Sequence, residues 1–80
     1  MQITIDYSEV IDAANVIQRQ FKPRKGDTIA ISTVREYRDN VKARIDKLNS
    51  FELLSDLDMI SLELETIQFR ACEMVLRKCQ

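Results

Sequence analysis

Two thiols, a run of carboxylates and a knot of cations are the residues of this 80-residue chain whose types could do chemistry. Cys72 and Cys79 stand seven positions apart. In a helix that spacing separates their Cα atoms by about 10 Å along the axis, beyond the roughly 7 Å that a disulfide spans. Two unpaired thiols fit a reducing compartment, so a cytoplasmic location is expected; export by a route that reads no cleavable signal stays compatible with it. With two cysteines and no histidine, the chain lacks the roughly four ligands of a structural zinc site. Neither a metal nor any other cofactor is expected.

Catalysis is disfavoured on the same grounds. The missing histidine removes the commonest general acid–base. Gly26 is the single glycine, so no glycine-rich phosphate loop exists. Cys72, between Arg70 and Glu73 in an apolar stretch, is not at a helix N-terminus where a thiolate would be activated. Glu52, Asp56, Asp58, Glu63 and Glu65 read as a solvated helical face. The expectation is a protein that is not an enzyme. The cations Arg19, Lys22, Arg24 and Lys25 form the remaining candidate, a contact for an anion or an acidic partner. Their one aromatic neighbour is Phe21, which argues against stacking on single-stranded nucleic acid. A nucleic-acid-associated or regulatory role through residues 19–25 is carried as the alternative.

The elements that must position these groups are mostly helical. Residues 2–7 alternate Ile3, Ile5 and Tyr7 with polar neighbours, a strand-like pattern. Asp6 or Ser8 then caps a helix over 9–21, with Val10, Ala13, Ala14, Ile17 and Phe21 at three- and four-residue steps. Pro23 and Gly26 end it in a basic loop over 22–27. Residues 28–32 read as extended, and a minor two-stranded ribbon with 2–7 is one reading of the pair. A helix over 33–49 follows, opened by the capping-box spacing of Thr33 and Glu36 and striped with Val34, Tyr37, Val41, Ile45 and Leu48. The last helix spans 51–79, starting at Ser50 or at Ser55, where Ser55 and Asp58 repeat the capping signature. A short break makes the last two helices an antiparallel hairpin.

The last helix carries two apolar stripes. Leu57, Ile60, Leu64, Ile67, Ala71 and Met74 form the expected seam toward the middle helix. Leu62, Phe69 and Leu76 recur every seven residues on another side. Fully burying side chains of this kind contributes about 1.5–3 kcal/mol each, so something must cover them. The N-terminal helix and another chain are the two candidates, and Leu62, Phe69 and Leu76 are the expected partner-binding residues.

Charge is segregated as well. Nine bases and four acids lie between Arg19 and Lys47, whereas Ser50–Thr66 holds five acids and no base. Antiparallel pairing of the last two helices would set Lys42, Arg44 and Lys47 beside Glu52, Asp56 and Asp58. It would also set Arg70, Arg77 and Lys78 near Glu36 and Asp39. The pattern reads as a specification of the hairpin rather than a nucleic-acid footprint.

Two short stretches carry resemblances. "SLELE" at 61–65 resembles the S-Q-E-L-D signature of small helical-hairpin aspartyl-phosphate phosphatases of the sporulation phosphorelay. Ser61, Glu63 and Leu64 match it, while Leu62 replaces the Gln and Glu65 the Asp. That resemblance implies a hairpin regulator whose activity depends on Glu65. "ITIDYSEVIDAAN" at 3–15 is similar to the start of small helical-hairpin proteins that accompany type VII secretion substrates. Their W-x-G turn is absent here, since the chain has no tryptophan.

Together these observations describe one small, mainly α domain over 1–80: a short N-terminal helix and a long helical hairpin. The charge is near neutral, with 12 bases against 13 acids, and no run approaches the 18 apolar residues of a membrane span. The expected role is a non-catalytic interaction or assembly module of accessory, adaptor or inhibitor type. It would act through an apolar helix face on a protein partner or on itself, as a homo- or hetero-oligomer.

Overall fold

Asp6 decides where the first helix begins. Its backbone is extended and its carboxylate accepts the amide of Ser8 at 3.0 Å, which satisfies a donor that the first turn leaves open. Helix α1 then runs Tyr7–Gln20, two residues earlier than the periodicity predicts. The computed structural model describes residues 5–21 and 31–78. Helix α2 spans Ile31–Asn49 and helix α3 spans Asp56–Lys78. The described residues contain no strand: Tyr7, Ile31 and Ser32, all assigned to extended segments from the sequence, are helical. Ile5 and Asp6 precede α1 outside any strand, and residues 2–4 and 28–30 of the proposed ribbon and the basic loop over 22–27 lie outside the described residues.

The ends of the hairpin helices follow from side-chain chemistry. Because α2 already starts at Ile31, Thr33 sits inside its first turn and is not the cap. At the other end the Ser50 hydroxyl donates to the Lys47 carbonyl at 2.6 Å, closing α2 rather than opening the next helix. Ser55 takes that second task. Its hydroxyl accepts the Asp58 amide at 3.1 Å while its own amide donates to the Asp58 carboxylate at 3.3 Å. This reciprocal pair is a capping box with Asp in place of Glu. Of the two starts open in the sequence, the one at Ser55 is used, and residues 51–55 form the turn.

Helix α3 is the spine, with both α1 and α2 packed against it. The Tyr37 hydroxyl donates to Gln68 at 3.2 Å and the Arg44 guanidinium to Glu65 at 3.0 Å, so α2 climbs as α3 descends. Helix α1 is antiparallel to α3 too. Its start, at Ile5, Tyr7 and Val10, shares a cleft with Arg70, Met74 and Arg77. Its end brings Phe21 edge-on to Tyr37, ring centroids 5.9 Å apart, about halfway along the spine. The core lies where all three helices meet: Val10, Ala14 and Ile17 from α1, Val34 from α2, and Ala71, Cys72, Val75 and Leu76 from α3. Ala14 and Ala71 are both almost fully buried in that cluster, where small side chains let two helix backbones approach closely.

The charge pairing differs from the pattern anticipated in the sequence. Among the described residues one ion pair joins two helices, Arg44–Glu65; the other, Arg38–Asp39 at 3.3 Å, lies within α2. Exposed pairs contribute only about 0–1 kcal/mol, too little to hold Lys42 or Lys47 to the acids of the turn. Apolar packing sets the register, and the charges adjust to it.

Candidate functional site

Helix α3 has 23 residues and α1 has 14, so at 1.5 Å per residue α1 is shorter by about 13 Å. That difference creates the candidate site. At 100° per residue Leu57, Ile60, Leu64, Ile67, Ala71 and Val75 share one side of α3. The C-terminal part of this face packs on α1, and Ala71 and Val75 are fully buried. The N-terminal part runs past the end of α1 and stays bare. Leu57 is 76% exposed, Ile60 54% and Leu64 58%, with Leu53 exposed in the preceding turn. Tyr7, Ile11 and Val16 of α1 are exposed as well; Tyr7 and Ile11 lie one turn apart near the helix start, and Val16 points about 140° from Ile11.

The two stripes of α3 are used differently from the reading of the sequence, although Ile67 and Ala71 of the expected seam are buried. Leu57, Ile60 and Leu64, expected to face α2, are solvent-exposed. Leu62 and Leu76 are buried within the chain at 6% and 5% exposure, and Phe69 is half-buried. Leu76 packs in the cluster that includes Val34 and lies beside Arg38 of α2. Leu62 falls within about 60° of Glu65, whose carboxylate reaches Arg44. Residues of α2 lie beside this second stripe, and at Leu76 the core cluster also includes Val10, Ala14 and Ile17 of α1. Of the cationic candidates, Arg19 is exposed in the last turn of α1. Lys22, Arg24 and Lys25 lie outside the described residues.

Acidic side chains edge the bare face on both sides. Asp56 and Glu63 fall on one flank and Asp58 and Glu65 on the other, about 70–130° from its centre at 100° per residue. Glu65 is engaged by Arg44, and that hydrogen bond raises the guanidinium pKa. One oxygen of Glu65 holds the ion pair; the other, Oε2, is buried and has no hydrogen-bond partner among the described residues. Next to this pair, burial pushes the Tyr37 phenol up, with the nearby Cys72 thiol and Glu65 carboxylate adding to the effect and Arg44 opposing it.

Cys72 is a core residue rather than a reactive one. It is fully buried, and burial pushes its thiol up to about 11, against the opposing pull of Arg38 and with Glu73 adding to the rise. At neutral pH it stays a protonated, small apolar group. Cys79 lies outside the described residues. The described residues hold no cluster of ligating side chains suited to a metal ion. None of their helices is long and apolar enough to cross a membrane. A half-open cleft of ≈ 630 Å³ remains between the start of α1 and the end of α3. It is floored by Ile5, Val10 and Met74 and rimmed by Arg70, Arg77 and Lys78. Sequence reasoning missed it, because its walls come from the two ends of the chain and no local spacing joins them.

No family model matches this chain, and no curated protein or solved structure matches it either.

Proposed function

We propose that the chain is a small non-catalytic protein–protein interaction module that presents the bare N-terminal face of α3 to a protein partner. The observation that supports this reading most directly is Leu57, Ile60 and Leu64, each more than half exposed on a face that elsewhere builds the core. Fully burying such a side chain contributes about 1.5–3 kcal/mol, so covering the exposed parts of three of them is worth roughly 3–6 kcal/mol. A chain of this size has a total stability of only about 4–12 kcal/mol. A surface of that value is large for so small a domain, and exposed apolar patches of this kind mark interaction sites.

Photo-crosslinking tests the reading. A photoreactive residue at position 57 or 64, with the chain expressed in its host, is expected to give one adduct of defined mass. The same residue at Lys42, exposed on α2, is expected to give none. Equal labelling from all three positions, or no adduct from any, would sink the proposal. An adduct of twice the chain mass identifies a second copy.

One observation favours a second reading, that of a hairpin regulator that hydrolyses an aspartyl phosphate. Ser61–Glu65 lies on α3 of an antiparallel hairpin. Glu65, where the resembled signature has Asp, keeps a buried carboxylate oxygen without a partner among the described residues. In that reaction water attacks phosphorus, the bond to the aspartyl oxygen breaks and orthophosphate leaves. With a phosphorylated response-regulator receiver domain as substrate, Glu65→Ala is expected to lower the release rate by at least tenfold. An unchanged rate removes the assignment.

A further inference from the structure

The bare face of α3 also carries information about what covers it. An isologous pairing of two copies, α3 antiparallel on α3, would lay the segment Ser50–Thr66 of one copy against the same segment of the other. That segment has five acids and no base. Its acidic flanks would then meet like charge, which is destabilising at close range. Among the described residues Asp56, Asp58 and Glu63 form no ion pair, and Glu65 alone of the flanking acids is neutralised, by Arg44. The apolar strip between the flanks runs Leu57, Ile60, Leu64 at three- and four-residue steps. That is the spacing against which a helix packs, and α1 lies as a helix on the continuation of the same face.

Resting on the proposed interaction role, we infer that this face takes an amphipathic helix of a partner protein, its apolar stripe flanked by lysines and arginines, laid in line with α1 beyond its end. Apolar burial supplies most of the affinity. The acidic flanks supply the selection: they favour a basic helix over an acidic one of equal hydrophobicity and disfavour a second copy of this chain. Between Asp56 and Leu64 the strip spans about 12 Å, so a helix of two to three turns is long enough to cover it.

Two synthetic peptides of about 14 residues test the inference. They share one amphipathic leucine stripe, and their polar positions are all lysine in one and all glutamate in the other. By fluorescence anisotropy at about 50 mM salt, the lysine peptide is expected to bind at least tenfold more tightly than the glutamate peptide. Its affinity should fall as salt is added. Leu57→Gln with Leu64→Gln should lower its affinity at least tenfold while the far-UV spectrum keeps its helix. Asp56→Asn with Glu63→Gln should narrow the gap between the two peptides. Equal binding of the two peptides, binding indifferent to Leu57 and Leu64, or no binding of either overturns the inference. A dimer in light scattering at micromolar concentration that Leu57→Gln converts to monomer also overturns it, yet leaves the interaction role standing. That role itself falls by the crosslinking result alone, so the two failures are separable.

Discussion

Val75→Asp is expected to leave the chain unfolded at 25 °C, with its helical circular dichroism lost, whereas Leu57→Asp should keep the parent spectrum. Leu57 and Val75 are 18 residues apart, which is five full turns, so the two side chains leave α3 in the same direction about 27 Å from each other. Their surroundings are opposite: Leu57 is 76% exposed, and Val75 is fully buried in the cluster with α1. At position 75 a carboxylate would be sealed among apolar groups without a cation. That costs several kcal/mol, a large share of the roughly 4–12 kcal/mol available to 80 residues. At position 57 the same carboxylate would stand in water in the first turn of α3. Exposed substitutions there are worth about ±0.5 kcal/mol, and the helix dipole favours a negative charge at that end. Loss of structure in both variants would mean that the lower face of α3 is covered within the chain, and the candidate site would disappear with it.

That contrast also marks how far the sequence can be read. Capping chemistry is local, so Asp6 and the Ser55–Asp58 pair are legible as candidate caps of α1 and α3, with Ser8 and Ser50 standing beside them as alternatives. The two apolar stripes of α3 are visible in periodicity as well. Which neighbour each stripe meets is not, because Leu57, Ile60 and Leu64 are as apolar as Leu62, Phe69 and Leu76. The answer depends on the lengths of the other helices and on the turn. Starting α3 at Asp56 after a turn over 51–55 places Glu65 opposite Arg44, and this turns the Leu62–Leu76 stripe toward α2. The short α1 then reaches only the C-terminal half of the remaining face. The bare strip is therefore a difference between two helix lengths, and no window of the sequence contains it. Val75 illustrates the same point. It is named in neither stripe read from the sequence, yet it is fully buried in the cluster that residues of α1, α2 and α3 build together.

The reassignment of the second stripe has a large and separate consequence. Leu62→Ala and Leu76→Ala each remove a buried side chain, at 6% and 5% exposure, and such truncations cost about 2–5 kcal/mol. For a domain of 60–100 residues each kcal/mol moves the melting midpoint by roughly 4–8 °C, so either variant is expected to melt at least about 8 °C below the parent. The sites are 14 residues apart on α3, about 21 Å, far enough for their costs to add. The double variant should therefore be close to unfolded at 25 °C. Dilution separates this account from one in which the stripe binds another chain. A core residue acts within the chain, so the shift in midpoint should be the same at 2 μM and at 200 μM. If the loss shrank at the higher concentration, or if the variants kept the parent midpoint and changed only in mass by light scattering, Leu62 and Leu76 would be contacts to another chain. The exposed leucines at 57 and 64 set the opposite expectation: their polar substitution should leave the midpoint nearly unmoved and change binding instead. The two stripes of one helix are thus told apart by which observable each one moves.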